Sequence, residues 1–586
     1  MNINIIKLYF KEHYLALIFA GMVGLISVAP ELLAINYLGA DYKGIPFFGI
    51  GDNLYYTAKL QELNDGHFWI SSPFFYEYKN EKSLILPIGE LFYFLPQKLF
   101  VLSVSRIILI NKFLLPAILF FLVYSLAHKL TGRKNFSNRI NSIATGLFVV
   151  LGYHLIDFKN AWSLIAGQTQ YLSLLLWTRP VNPITGAVLI FIFLLIIWKI
   201  INKKPFYLSI IAGIILGLMV SYFFSWGISL SFVAVLMLIF LVKKEYKIFA
   251  NLLTVVLVSF LAVLPYWLNL LQLLTSDKGG ELSMRNAMFY THEPMPNKVL
   301  LACLLLFLPC LIYESYQKRK VQEKLEIWWW FCLALLLGGL LALNQQIITG
   351  RTIWPYHFVQ YSIPFAIVVT MVLFYNYIKP KFFSVWLAVV SLVILVSLLY
   401  GFASARSYIY SVNGMGQMQQ YAAVFDWLNK NTPLDSVVLT KESEQNLSTL
   451  IPALTHCNVY VSSWIPLSLI PEDRVYHNYL SWLRINGVDP ITVETYLYDH
   501  QAEVRGFFYT DIKMIFDEKE NNYIENKIKQ LSLDYQEFVK KDYRSELKRY
   551  RLDYILSVGP LSPGIIKQLT GIKPIFEANN LFVYSF

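Results

Sequence analysis

Residues 183–201 read PITGAVLIFIFLLIIWKII, and Asn202-Lys203-Lys204 follow directly. An apolar run of this length, with Lys199 only at its far end, matches a bilayer core, which an α-helix crosses in about 20 residues. The lysines behind it mark the cytoplasmic end, because short loops rich in Lys and Arg stay inside. Further stretches read the same way: Tyr14 to Ile35, Val104 to Ala127, Asn141 to Ile156, Phe206 to Phe224, Gly227 to Val242, Phe249 to Leu273, Val299 to Tyr313, Ile327 to Leu343, His357 to Tyr377 and Phe382 to Phe402. The expected fold is a polytopic α-helical membrane protein of about eleven spans.

Composition agrees. Of 586 residues 56% are hydrophobic and only 15% charged, more apolar surface than one globular core can bury. The net charge of +11 could suggest nucleic acid, but the charges fall between the apolar segments, so no nucleic-acid partner is expected. They also alternate. One set of loops holds Lys7 and Lys11; Lys129, Arg133, Lys134 and Arg139; Lys199, Lys203 and Lys204; Lys243, Lys244 and Lys247; Lys318, Arg319, Lys320 and Lys324; and Lys379 and Lys381. These loops and the N-terminus are read as cytoplasmic. The intervening loops, including the long segment 36–103, are read as extracytoplasmic, in a multi-pass protein of the cytoplasmic membrane. The first span could instead be a cleavable signal peptide, but it runs long, carries Pro30 and Glu31 near its outer end, and lacks a small-x-small cleavage site. Cys303, Cys310 and Cys332 fall in spans and Cys457 is alone beyond them, so no disulfide framework is expected.

The pattern changes near residue 415, dividing the chain into a membrane domain, 1–414, and a water-soluble, extracytoplasmic α/β domain, 415–586. In the latter, a helical stretch from Gln417 to Asn429 precedes short strand-like runs at Ser436 to Thr440, Val459 to Ser462, Tyr554 to Val558, Pro574 to Glu577 and Leu581 to Ser585. Ala578-Asn579-Asn580 reads as a hairpin turn. Residues 520–552 read as charged, solvated helices. The domain has no Walker loop, Rossmann glycine fingerprint or Cys/His metal spacing.

The first outer loop contains Gly49-Ile50-Gly51-Asp52-Asn53-Leu54-Tyr55-Tyr56, continues through Lys59 to Asp65-Gly66-His67, and carries a second interfacial helix from Leu84 to Phe94. Asp52 stands where a helix N-cap belongs, and capping is the competing explanation for it. Lys59 and His67 are expected to face solvent. An acid just outside the first span, paired tyrosines and an amphipathic helix, with many spans and an outer C-terminal domain, resemble the GT-C glycosyltransferase superfamily. The resemblance covers the architecture of the whole chain, but its specific motif is a few residues. It implies a polyprenyl-phosphate-linked sugar donor, transfer to a glycan, lipid or protein acceptor on the extracytoplasmic side, and Asp52 as the acid that activates the acceptor. Some branches bind a divalent metal through Asp-x-Asp or Glu-x-Asp in this loop. Here Asp52-Asn53-Leu54 lacks the second acid, so metal-independent catalysis is expected and no cofactor is required, although Asp41 could still converge on the site.

The residue types suit that chemistry. A carboxylate takes the proton of an acceptor hydroxyl as the anomeric carbon is attacked; a single displacement by one base inverts that centre. The departing lipid phosphate calls for a cation, best an Arg. Thr349-Gly350-Arg351-Thr352-Ile353-Trp354-Pro355-Tyr356-His357 makes Arg351 with His357 the stronger candidate, and Arg179 in Thr178-Arg179-Pro180-Val181-Asn182-Pro183 the other; snorkelling to headgroups competes for both. Tyr55, Tyr56, His154, Asp157 and Trp354 are candidates for sugar or acceptor contact, His154 and Asp157 also as a structural pair. Trp69, Trp162 and Trp226 fit an interfacial belt equally well. Asn344, Gln345 and Gln346 fit a sugar or the end of a helix. The competing functions are a lipid-linked glycan transporter or flippase, against which the nearly charge-free spans count, and an inactive scaffold of envelope assembly.

Overall fold

The computed structural model describes residues 3–48, 52–81, 83, 85–132, 135–275, 285–286, 288–408, 412–441, 447–464, 468–508 and 521–586. Gly49, Ile50 and Gly51 of the first-loop motif lie outside the described residues. Every stretch read as a span is helical. Among the described residues eight helices are long and apolar enough to cross a membrane, and nine if a bent pair counts as one span. The protein is thus a polytopic α-helical membrane protein.

The eleven-span expectation differs from this count for local reasons. The stretch 249–273 is two helices, α10 (Tyr246–Ala262) and α11 (Leu264–Leu274), bent by 62°. Pro265 in the first turn of α11 has no N–H for the preceding turn and its ring collides with that turn's carbonyl, so the helix restarts there. Two other expected spans are short: α5 (Phe136–Val150) and α8 (Phe206–Leu218). α8 crosses α10 closely, because a Cβ at Gly213 would lie 2.8 Å from the Val255 carbonyl oxygen and one at Gly217 2.7 Å from that of Ser259. Small residues four apart let two backbones touch, which lipid-immersed helices use in place of hydrophobic burial.

Of the other helices, α7 (Ile184–Lys203) and Tyr356–Ile378 are each 72% buried and form the centre, whereas Lys298–Lys320 at 22% and Phe383–Ser407 at 28% present most of their apolar surface outward. The basic loops meet at one end. Lys204, after α7, pairs with Glu245, after α9 (Phe223–Val242), at 3.0 Å, and Arg139 donates 2.9 Å to the Glu12 carbonyl at the start of α1 (Ile3–Leu38). Between spans, Lys112 of α4 (Val104–Leu130) pairs with Glu31 of α1, both buried.

The C-terminal α/β domain sits at the other end, on the first loop. Strands β1 (Phe289–Tyr290) and β2 (Arg351–Thr352) make a small antiparallel ladder in the membrane domain; β3 (Val437–Lys441), β4 (Asn458–Val459), β5 (Tyr554–Val558), β6 (Pro574–Ala578) and β7 (Leu581–Ser585) form the C-terminal sheet. Its order is β4-β3-β5-β7-β6, parallel through β4, β3 and β5 and antiparallel beyond. Asn579 and Asn580 both take positive φ, +52° and +60°, as the tight turn between β6 and β7 requires. The sheet core continues into the first loop: Tyr55, Phe74 and Phe75 pack with Val437, Leu439 and Val459, and Val459 N–H donates 2.9 Å to the Phe74 carbonyl. His67 is 3.0 Å from Asp435, and Lys79 bridges Glu62 at 2.9 Å and Asp435.

Lys59 and His67 therefore do not project freely into solvent. Lys59 is buried against Glu90 at 2.6 Å, since α2 (Asp52–Asn64) is covered on one side by α3 (Ile88–Phe100) and on the other by the C-terminal domain.

Candidate active site at the head of the first-loop helix

Asp52 is the first residue of α2, so its carboxylate stands at the N-terminal end of that helix. Opposite stands Arg179, just past the 3-10 turn Leu176–Thr178, and its Nη2 donates to Asp52 Oδ2. Tyrosines from three helices hold the Arg179 segment. Val181 N–H donates to the Tyr93 hydroxyl at 3.0 Å, Asn182 Nδ2 donates to the Tyr56 hydroxyl at 3.0 Å, and the Tyr361 hydroxyl donates to Asn182 Oδ1 at 3.3 Å. Tyr56 belongs to α2 as Asp52 does, so one helix supplies the acid and helps to fix the loop that brings its partner.

The pair is incomplete. Asp52 Oδ1 and Arg179 Nε are both buried, and among the described residues neither makes a hydrogen bond. The side chains keep 27% and 17% of their exposure, so a ligand can reach them. Burial pushes the Asp52 carboxyl above its ordinary value, while the Arg179 charge and hydrogen bond oppose that rise. Burial likewise raises the Tyr56 hydroxyl, and Asp52 adds to it.

Tyr356 lies within electrostatic reach of Asp52 and Arg179, and His357 within reach of Arg179. His357 stacks on Phe224 with centroids 4.7 Å apart and lies 5.7 Å from Trp354. Its Nδ1 is 3.3 Å from the Trp354 carbonyl oxygen.

The other sequence candidates go elsewhere. Arg351 is exposed on β2, and among the described residues it forms no ion pair; its carbonyl accepts from Gln345 and Thr349. The cation brought to Asp52 is Arg179, not Arg351, because β2 is held by β1 while the Pro180–Pro183 segment is drawn in by tyrosines. Tyr55 turns away from the site and stacks between Phe74 and Trp464. Asp157 caps α6 (Phe158–Ile165), accepting from Lys159 N–H at 3.1 Å and from Asn160 at 3.0 Å. His154 lies beside Tyr153 and Tyr400, and among the described residues no hydrogen bond or ring contact joins it to Asp52. Asn344 and Gln346 bond the Met295 N–H and the Glu293 carbonyl where helix Ile327–Leu343 ends. Asp41 is exposed in a 3-10 turn. Sequence reasoning missed Asn182 and Tyr361. Asn182 carried a signal, an amide beside Pro183 in the loop already singled out for Arg179; Tyr361, inside an apolar run, carried none.

No protein-family model matches this chain, and no curated protein matches it. Solved structures do. Oligosaccharyltransferase from Archaeoglobus fulgidus in its apo form is similar over 94% of this chain and 70% of its own, with 14% identity and a TM-score of 0.44. ArnT from Cupriavidus metallidurans, bound to undecaprenyl phosphate, is similar over 98% of both chains, with 10% identity and a TM-score of 0.47. At these identities and scores neither assigns an activity or a residue role to this chain.

Proposed function

We propose that this protein is an integral glycosyltransferase of the cytoplasmic membrane, N-terminus inside, that moves a sugar from a polyprenyl-phosphate donor to an extracytoplasmic glycan, lipid or protein acceptor. The observation that carries the reading is the Asp52–Arg179 pair: a carboxylate and a guanidinium, each with a buried, unbonded atom, beside the membrane domain and beneath an outer domain. Arg179 is the donor-phosphate ligand. In the resting state it holds Asp52; the donor's phosphodiester offers two anionic oxygens to the guanidinium fork and competes with Asp52 for it. Asp52 then loses the neighbour that keeps its pKa down and becomes a stronger base when the donor is in place. It takes the acceptor proton, the acceptor oxygen attacks the anomeric carbon, and the phosphate leaves with the bonding pair, stabilised by Arg179. One displacement inverts the centre, and no metal is needed for it. His357 and Tyr356 line the approach to Arg179.

The test is sugar transfer by purified full-length protein in nanodiscs, with a panel of hexosyl and pentosyl undecaprenyl phosphates. Asp52→Asn is expected to lower kcat by about 10²–10⁴-fold. Equal turnover by wild type and variant removes Asp52 as base; no transfer by wild type together with no binding of undecaprenyl phosphate removes the reading.

A further inference from the structure

At the opposite end of α1, Glu12, His13 and His128 present one ligand atom each, all within 4.8 Å of one another. His13 and Asp52 belong to different machinery: 25 residues of α1 separate His13 from Leu38, about 38 Å at the helical rise.

We propose that Glu12, His13 and His128 bind a divalent transition-metal ion, zinc by ligand type, that ties the start of α1 to the end of α4. Two imidazoles and a carboxylate are a zinc donor set, and three protein ligands leave a fourth position for water. The site is organised in advance. The His13 and His128 rings stand 5.4 Å apart, edge to face. The Tyr124 hydroxyl is 2.7 Å from His13 Nδ1, which fixes that ring, and the Tyr124 ring stacks on His128 at 5.7 Å and 13°. Such outer partners orient metal-binding histidines. His128 Nδ1 is buried and, among the described residues, makes no hydrogen bond. Arg139 anchors the Glu12 carbonyl at 2.9 Å. Arg139 and Lys129 are also felt electrostatically at His128, which weakens the hold on a dication, while the Glu12 carboxylate offsets one of them.

The experiment uses tag-free full-length protein in nanodiscs, stripped with a chelator and titrated with zinc chloride, with cobalt as a spectroscopic probe. Expected are one zinc per chain, a visible cobalt band of low-symmetry, four-coordinate type, and a rise in Tm with zinc. His128→Ala should weaken binding more than about tenfold, and Tyr124→Phe less. Asp52→Asn should leave the stoichiometry unchanged. Absence of stoichiometric zinc in the wild type overturns the site. So does equal binding by His13→Ala/His128→Ala, provided that variant remains monodisperse, and so does loss of zinc in Asp52→Asn.

Discussion

Two of the ion pairs on helix α2, Asp52–Arg179 and Lys59–Glu90, stand seven residues apart, two turns along one face, and they are built differently. Lys59–Glu90 is closed, with both side chains 2% exposed. Asp52 and Arg179 keep 27% and 17% of their side-chain exposure; Glu90 Oε1, like Asp52 Oδ1 and Arg179 Nε, makes no hydrogen bond among the described residues, so exposure is what separates the pairs. A sealed pair has no room for a ligand and fixes α2 against α3. An open pair with spare donors and acceptors can exchange partners. The largest effect that separates them is on turnover: Asp52→Asn should cost about 10²–10⁴-fold in kcat and leave Tm within a degree or two of wild type. A large fall in Tm would show that both pairs are structural.

The converse holds for Lys59. Lys59→Met leaves the Glu90 carboxylate buried without its cation, which costs about 3–5 kcal/mol. Thermal unfolding in nanodiscs should fall accordingly, while turnover of the protein that remains folded stays near wild type. Adding Glu90→Leu removes the stranded charge and should restore much of the loss. Turnover that collapses with Tm unchanged would move Lys59 into the active site.

The difference between the pairs was half legible in the sequence. Asp52 stood out by its setting in Gly-Asp-Asn-x-Tyr-Tyr at the head of a loop helix, where capping is the one structural explanation that competes with chemistry. Lys59 did not, since a lysine on a loop helix is usually solvated, and its burial arises from two elements far apart in sequence, α3 and the C-terminal domain. The spans were legible because bilayer thickness imposes a length on the sequence, and β5 and β7 because their runs lie between turn residues. The break at Val263 and the merger of the first loop with the C-terminal core were harder to see. A proline near an apolar run permits both a kink and a helix start, and a shared core is a property of two distant segments together. Ranking Arg351 above Arg179 rested on neighbours in sequence; what brings Arg179 to Asp52 is a set of tyrosine hydrogen bonds from α2, α3 and helix Tyr356–Leu373.

Arg179 sharpens the comparison from the other side. Arg179→Lys keeps the charge but loses the fork, and binding of undecaprenyl phosphate should weaken about tenfold, read by competition with a labelled lipid phosphate. Arg179→Gln also removes a cause that lowers the Asp52 pKa. With Asp52 as the proposed base, activity should fall as pH drops through its pKa, and the acid limb of kcat/KM should move to higher pH in Arg179→Gln. A limb that stays in place would mean that another group titrates. Farther along α2, burial raises Glu62 from 4.5 to about 7. A folded value above the unfolded one gives a contribution that is full below about 4.5 and lost as pH rises through about 7. Thermal stability should decline from pH 5 to pH 8, with Glu62→Gln flattening that decline, and neither change should move the acid limb of turnover.

The smallest expected effect is at Arg351. It is exposed on β2, forms no ion pair among the described residues and is held by backbone contacts rather than through its guanidinium. Arg351→Gln should therefore change kcat by less than about threefold, within the range of a peripheral charge acting through solvent. Raising the salt concentration should erase what remains, because an exposed charge is screened within about a Debye length whereas the Asp52–Arg179 pair is largely shielded. A loss at Arg351 as large as that at Arg179, unaffected by salt, would mean that the loop 344–357 closes over the donor and that two arginines share its phosphate. The open pair on α2 would then be one half of a larger clamp.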